Sequence, residues 1–165
     1  MDFIFDTLKR LPFSTILAAR KYGMDNIHVS ENAQAGAKLC MALLRGDNSE
    51  TRKLINAGTP LDYQDDIDGW TPLIYSIYYQ NPLACRWLLE NNADVDKADY
   101  AGRTPLMIAA IRGNHQLMKE LLTLGANIFC KDNRQKTAFD FAVEYNQHEC
   151  ADLVRESYHT PEKGE

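Results

Sequence analysis

Asp99-Tyr100-Ala101-Gly102-Arg103-Thr104-Pro105-Leu106 packs a tight turn and the start of a helix into one short stretch. Gly102 suits the backbone reversal, and Thr104 followed by Pro105 suits an N-cap followed by the first helical position. Ala109-Ala110 continue an apolar helix toward Gly113, and a second apolar helix carrying Leu121-Leu122 closes at Gly125-Ala126. Gly tolerates the left-handed residue that ends a helix, so both stops have a mechanism.

The same pattern recurs on both sides of this stretch. Thr71, Thr104 and Thr137 are spaced by 33 residues, and their neighbours follow in register: Leu73, Leu106 and Phe139, then Ser76, Ala109 and Ala142, then Leu88, Leu121 and Val154. A fixed period of this length marks a stacked repeat architecture. The unit beginning near Asp66 keeps Gly69, Thr71-Pro72-Leu73, Leu88-Leu89 and Ala93, with Asp66 read as the counterpart of Asp99. Further back, Leu39, Ala42, Gly46, Leu54-Ile55 and Gly58 match at an offset of 34, which places one extra residue between Leu61 and Asp68. Going forward, Asp132, Thr137, Phe139, Ala142 and Val154 continue the pattern, with Gln135 where Gly is expected and Ala138 where Pro is expected. Such degenerate outer units suit the ends of a stack, where one side faces water.

With Thr-Pro-Leu, the central Ala-Ala and the closing Gly-Ala at one period, the chain resembles the ankyrin repeats. That resemblance implies an all-α repeat solenoid of helix-turn-helix units joined by β-turn or hairpin loops, with about four repeats and degenerate terminal caps. The expected organisation is an N-terminal helical extension over 1–35, a repeat domain over 36–157 and a polar tail over 158–165. The units are expected at about 36–65, 66–98, 99–131 and 132–157. In the N-terminal extension, Ile4, Leu8 and Leu11 share one helical face and Phe13, Ile16 and Leu17 another, which reads as a cap over the first repeat. Leu11-Pro12 with Ile16-Leu17 is also similar to the opening of an F-box, but too few residues follow to complete that domain.

Composition narrows the function. The 165 residues carry 18 Lys and Arg against 23 Asp and Glu, a net charge of −5 that opposes attraction to nucleic acid or an anionic membrane. The longest apolar region, Leu73 to Leu89, is cut by Gln80-Asn81-Pro82 and Arg86, so no membrane span is expected. Acidic Asp2 and Asp6, Pro12 and the charges Arg20-Lys21 argue against a cleavable signal peptide around Leu11 to Ala19. Cys40, Cys85, Cys130 and Cys150 form no CxxC pair, and reduced thiols in a cytoplasmic protein are expected.

Chemistry-bearing patterns are sparse. The sequence has no GxxxxGK[ST], GxGxxG or GxSxG segment. His148-Glu149-Cys150 lacks the spacing of a zinc site, and Cys150 and Cys85 fall in apolar columns of the repeat, with Leu117 and Ala84, and with Met118 and Ala151. His115 and His28 sit at polar positions with no catalytic partner pattern. Asp62, Asp65, Asp66 and Asp68 do not follow the twelve-residue calcium loop and read as an acidic turn. No catalytic residue, cofactor or metal is therefore expected, and an enzyme with an unrecognised site is a distant alternative.

The resemblance places partner binding on a concave face made of the turn tips and the exposed ends of the first helices. Those positions carry Asp68 and Trp70, Tyr100 and Arg103, and Lys136 at the tips, and Tyr78 and Tyr79, Ile111 and Arg112, and Glu144 and Tyr145 at the helix ends. Trp, Tyr and Arg are enriched at the energetic centres of protein interfaces. Tyr75, aligned with Ile108 and Phe141, is expected in the core. The acidic run Asp62 to Asp68 and the later Arg103, Arg112, Arg134 and Lys136 imply a face polarised along its length. The reading is a monomeric, non-catalytic module binding another protein as adaptor or inhibitor. The alternative is a microbial effector or immunity-type protein, able to enter a host without a cleavable signal peptide, that blocks or redirects one target enzyme.

Overall fold

The computed structural model describes residues 31–158. The expected helices of residues 1–30, His28 and the tail beyond Tyr158 lie outside them. Eight helices follow among the described residues: α1 (Glu31–Leu44), α2 (Asn48–Asn56), α3 (Pro72–Tyr78), α4 (Pro82–Glu90), α5 (Pro105–Ile111), α6 (His115–Thr123), α7 (Ala138–Glu144) and α8 (His148–Ser157). They form four pairs, and each first helix packs on its own partner and on the first helix of the adjacent unit. This is the all-α solenoid expected from the repeat. The opening helix begins at Glu31 and so crosses the boundary expected at residue 36.

Local chemistry sets each helix start. Thr71, Thr104 and Thr137 are extended N-cap residues whose hydroxyls accept from the backbone N–H of Ile74, Met107 and Asp140. In α7 the cap is reciprocal, since the Asp140 carboxylate also accepts from the Thr137 backbone N–H at 2.8 Å. Three of the second helices are capped instead by Asp47, Asn81 and Asn114, each accepting from an N–H three residues on. Satisfying these otherwise unpaired donors is what lets helices of only seven to nine residues stop and start so closely.

The core is the continuous column that stacking creates. Leu39, Leu73 and Leu106 are at most 1% exposed, as are Leu88, Leu121 and Val154 on the second helices. No single unit could shield such a face alone, and the neighbours remove it from water. The aligned cysteines follow their columns: Cys85 lies buried with Met118 and Ala151, and Cys150 with Leu117 and Ala84. All four cysteines are free thiols. Burial pushes the Cys85 thiol up to about 11, partly offset by the Ser76 hydroxyl 3.0 Å from its sulfur.

One sequence correspondence shifts. The connection over 57–71 is one residue longer than those over 91–104 and 124–137, as the 34-residue offset requires. The extra residue sits in the hairpin tip: Asp65 N–H donates to the Trp70 carbonyl, whereas Asp99 and Asp132 close on Arg103 and Lys136. Asp65, not Asp66, is therefore the counterpart of Asp99.

Candidate functional site

Each hairpin tip is organised by one aspartate. The Asp65 carboxylate accepts from the backbone N–H of Ile67, Asp68 and Trp70 at 2.8–2.9 Å. Asp99 Oδ1 accepts from Ala101 and Arg103, and Asp132 Oδ1 from Arg134 and Lys136. Asp62 is committed as well, accepting from the Asp94 N–H of the next unit at 2.8 Å. Asp62 and Asp65 of the acidic run thus fasten backbone, and Asp66 and Asp68 are exposed at the first tip.

Adjacent tips are stitched in the same way along the stack. Tyr100 N–H donates to the Asp68 carbonyl and Asn133 N–H to the Ala101 carbonyl, both at 2.9 Å. Gly69, with φ of +71°, lies under the Tyr100 ring, where a methyl group would collide. Tyr63 covers Gly36 similarly. Sequence reasoning missed these ring-over-glycine contacts, because the two residues of each pair are far apart in the chain: Gly69 and Tyr100 belong to adjacent units, and Gly36 and Tyr63 to opposite ends of the first.

The tips and first helices converge on an aromatic cluster. The Trp70 ring packs on Tyr78 (centroids 4.7 Å apart) and edge-on against Tyr75 at 5.3 Å. Tyr79 meets Tyr78 at 5.3 Å and stacks on Tyr75 at 6.2 Å. Tyr78 is 37% exposed, Tyr79 46% and Tyr100 57%, with Ile67 at the first tip 73% exposed. Two expectations need correction here. Trp70 is half-buried rather than an open tip residue, because Tyr75 and Tyr78 cover it, and its Nε1–H is buried with no acceptor among the described residues. Tyr75 is half-buried rather than core: its phenol reaches the Asp65 carboxylate, and burial together with that negative charge raises its pKa.

The charged positions separate into two kinds. Arg103 is held by the fully buried carboxylate of Asp99 at 2.7 Å, and Lys136 pairs with Glu144 at 2.6 Å and lies over the Phe141 ring. Arg112 is exposed, has no carboxylate partner among the described residues, and lies over Tyr78 with its guanidinium carbon 5.2 Å from the ring centroid. Ile111 is half-buried against the core, while Tyr145 is 49% exposed on the last unit. Arg112 also borders an open cleft of about 520 Å³ between the second and third units, beside Asn81, Arg86, His115 and Glu120. Among the described residues no group of three or more His, Cys, Asp or Glu side chains is placed to hold a metal ion.

A family model for ankyrin repeats, three copies long, matches residues 16–99 and again 94–163. The chain belongs to the ankyrin-repeat family. Inversin of Canis lupus familiaris is 32% identical over 130 residues, 79% of this ankyrin-repeat chain but 12% of inversin. A putative ankyrin repeat-containing protein of Treponema pallidum (strain Nichols) is 27% identical over 124 residues, 75% of this chain and 42% of that protein. The nuclear factor NF-kappa-B p105 subunit of Gallus gallus is 37% identical over 97 residues, 58% of this chain and 10% of the subunit. The chain thus spans about an eighth of inversin's length. Ankyrin repeats generally mediate protein–protein interaction, and no helix among the described residues is long and apolar enough to cross a membrane.

Proposed function

We propose that this ankyrin-repeat chain is a non-catalytic interaction module that holds a partner protein on the face made by its hairpin tips and first helices. It acts as a monomeric adaptor or inhibitor in the cytoplasm, without nucleic acid, membrane or cofactor. One observation carries the reading: Trp70 and Tyr79 both pack on Tyr78, which also lies under Arg112 of the next unit, while Tyr78 and Tyr79 leave much of their area in water. A folded chain gains nothing from exposing so much aromatic surface, whereas a partner that covers it removes large apolar area from water and meets rigid polar tips. Arg103, Lys136, Glu144 and Tyr145 extend the surface along the stack.

The test is capture from lysate of the source cells by the wild-type chain and by a Tyr79→Ala, Tyr100→Ala variant, chosen because both side chains are exposed. Circular dichroism first establishes that the variant folds. A protein held by the wild type and lost by the variant is expected; equal recovery by both would move the interaction off this face.

A further inference from the structure

We infer that the Trp70–Tyr78–Arg112 stack receives an acidic side chain of the partner, so that the bound segment is an acidic peptide with an apolar or aromatic residue beside its carboxylate. The inference rests on the interaction reading above and names the partner's chemistry.

The cations of this face differ in how available they are to a partner. Arg103 and Lys136 are neutralised within the chain by Asp99 and Glu144, so a partner carboxylate would have to compete with an existing ion pair. Among the described residues Arg112 has no such competitor, and its guanidinium lies over the Tyr78 ring rather than against an anion. A guanidinium held near an aromatic ring by cation–π attraction does not use up its N–H donors on an anion. Its rotamers are already restricted, so a carboxylate that accepts two of those N–H groups orders little further on binding.

The neighbouring groups agree in sign. Tyr78 and Tyr79, both exposed, add phenolic hydroxyl donors. This end of the patch is therefore rich in donors, and Arg86 and His115 along the adjoining cleft add to it, with Glu120 as the opposing charge. A partner cation placed on Tyr78 would instead meet Arg112 on the same ring. Asp66 and Asp68 at the first tip give the segment a direction, with its carboxylate toward Arg112 and away from that tip.

Selection from a random dodecapeptide library displayed on phage tests this directly, using the wild-type chain, Arg112→Glu, and the Tyr79→Ala, Tyr100→Ala variant, all verified as folded. Wild type is expected to enrich Asp or Glu next to an apolar or aromatic residue, and Arg112→Glu to lose that preference or exchange it for Lys and Arg. A synthetic peptide of the enriched sequence is expected to bind Arg112→Gln about tenfold or more weakly than wild type, with Arg112→Lys between them. Peptides that need Tyr79 and Tyr100 but show no acidic preference and no response at Arg112 would overturn this inference and leave the interaction reading standing. Peptides indifferent to every substitution, or no enrichment over the doubly substituted variant, would overturn both.

Discussion

Trp70 and Tyr78 pack ring against ring at 4.7 Å, and two units along the stack the same two repeat positions are held by Lys136 and Glu144 as an ion pair of 2.6 Å. One backbone geometry thus supports an apolar contact at one end of the face and a charged one at the other. The inner surface changes character along its length without any change of fold.

The aromatic contact is structural as well as exposed. Trp70→Ala removes the rings' contacts with Tyr75 and Tyr78 in a half-buried site, so it is expected to destabilise the chain by about 2 kcal/mol, below the figure for a fully buried Trp. Tyr79→Ala, more exposed, is expected to cost about 1 kcal/mol or less. Urea unfolding followed by circular dichroism measures both, and equal costs would contradict the packing described.

Gln80 and Gln135 occupy left-handed backbone, with φ of +53° and +63°, at positions where other units carry Gly113 and Gly102. A side chain there meets its own carbonyl, which costs about 1–2 kcal/mol that Gly avoids, less Gly's own entropy loss. Gln80→Gly and Gln135→Gly are each expected to raise stability by about 0.5–1 kcal/mol. A fall in the urea midpoint for either would mean that the glutamine side chain makes a compensating contact.

Asp99 accepts two backbone N–H groups and the Arg103 guanidinium while only 5% exposed. Asp99→Ala leaves those donors unsatisfied and is expected to cost about 2–3 kcal/mol, whereas Asp99→Asn keeps an acceptor for the two N–H groups and costs less. Slowed or unchanged amide hydrogen exchange at Ala101 and Arg103 in Asp99→Ala would argue against this role.

The Asp140 carboxylate, held by the Thr137 backbone N–H and hydroxyl, titrates below the ordinary range. A lowered folded-state value means that the stabilisation is complete above the unfolded-state pKa of about 3.9 and disappears as pH falls through the lower folded value. The stability gap between wild type and Asp140→Ala is expected to be full at about pH 6–7 and to shrink by about pH 3. A gap independent of pH would place the effect elsewhere.

Cys40, Cys85 and Cys150 are buried and Cys130 is half-buried, all with thiol pKa values raised by loss of solvation. Iodoacetamide at neutral pH is expected to label Cys130 first in the native chain, and the other three only after urea is added. Peptide mass spectrometry reads the order, and early labelling of Cys85 would show that its Ser76 contact opens readily.

The repeat, the helix starts at Thr-Pro, the left-handed stops and the buried columns that include Cys85 and Cys150 were legible along the chain. These depend on near neighbours and on a period, and both are written along the chain. The sequence also located the extra residue before Asp68, although only the closed hairpin shows that Asp65 organises that tip. Which exposed side chains are available to a partner follows only from the packing of the folded stack. Trp70 and Tyr75 are both half-buried because rings from the same unit and a tip carboxylate meet them. Among the described residues Arg103 and Lys136 are paired with carboxylates while Arg112 is not, and residue type alone does not distinguish these three cations. The distinction arises because pairing depends on where a side chain ends in space, and in a stack that point is set jointly by its own rotamer and by the unit beside it.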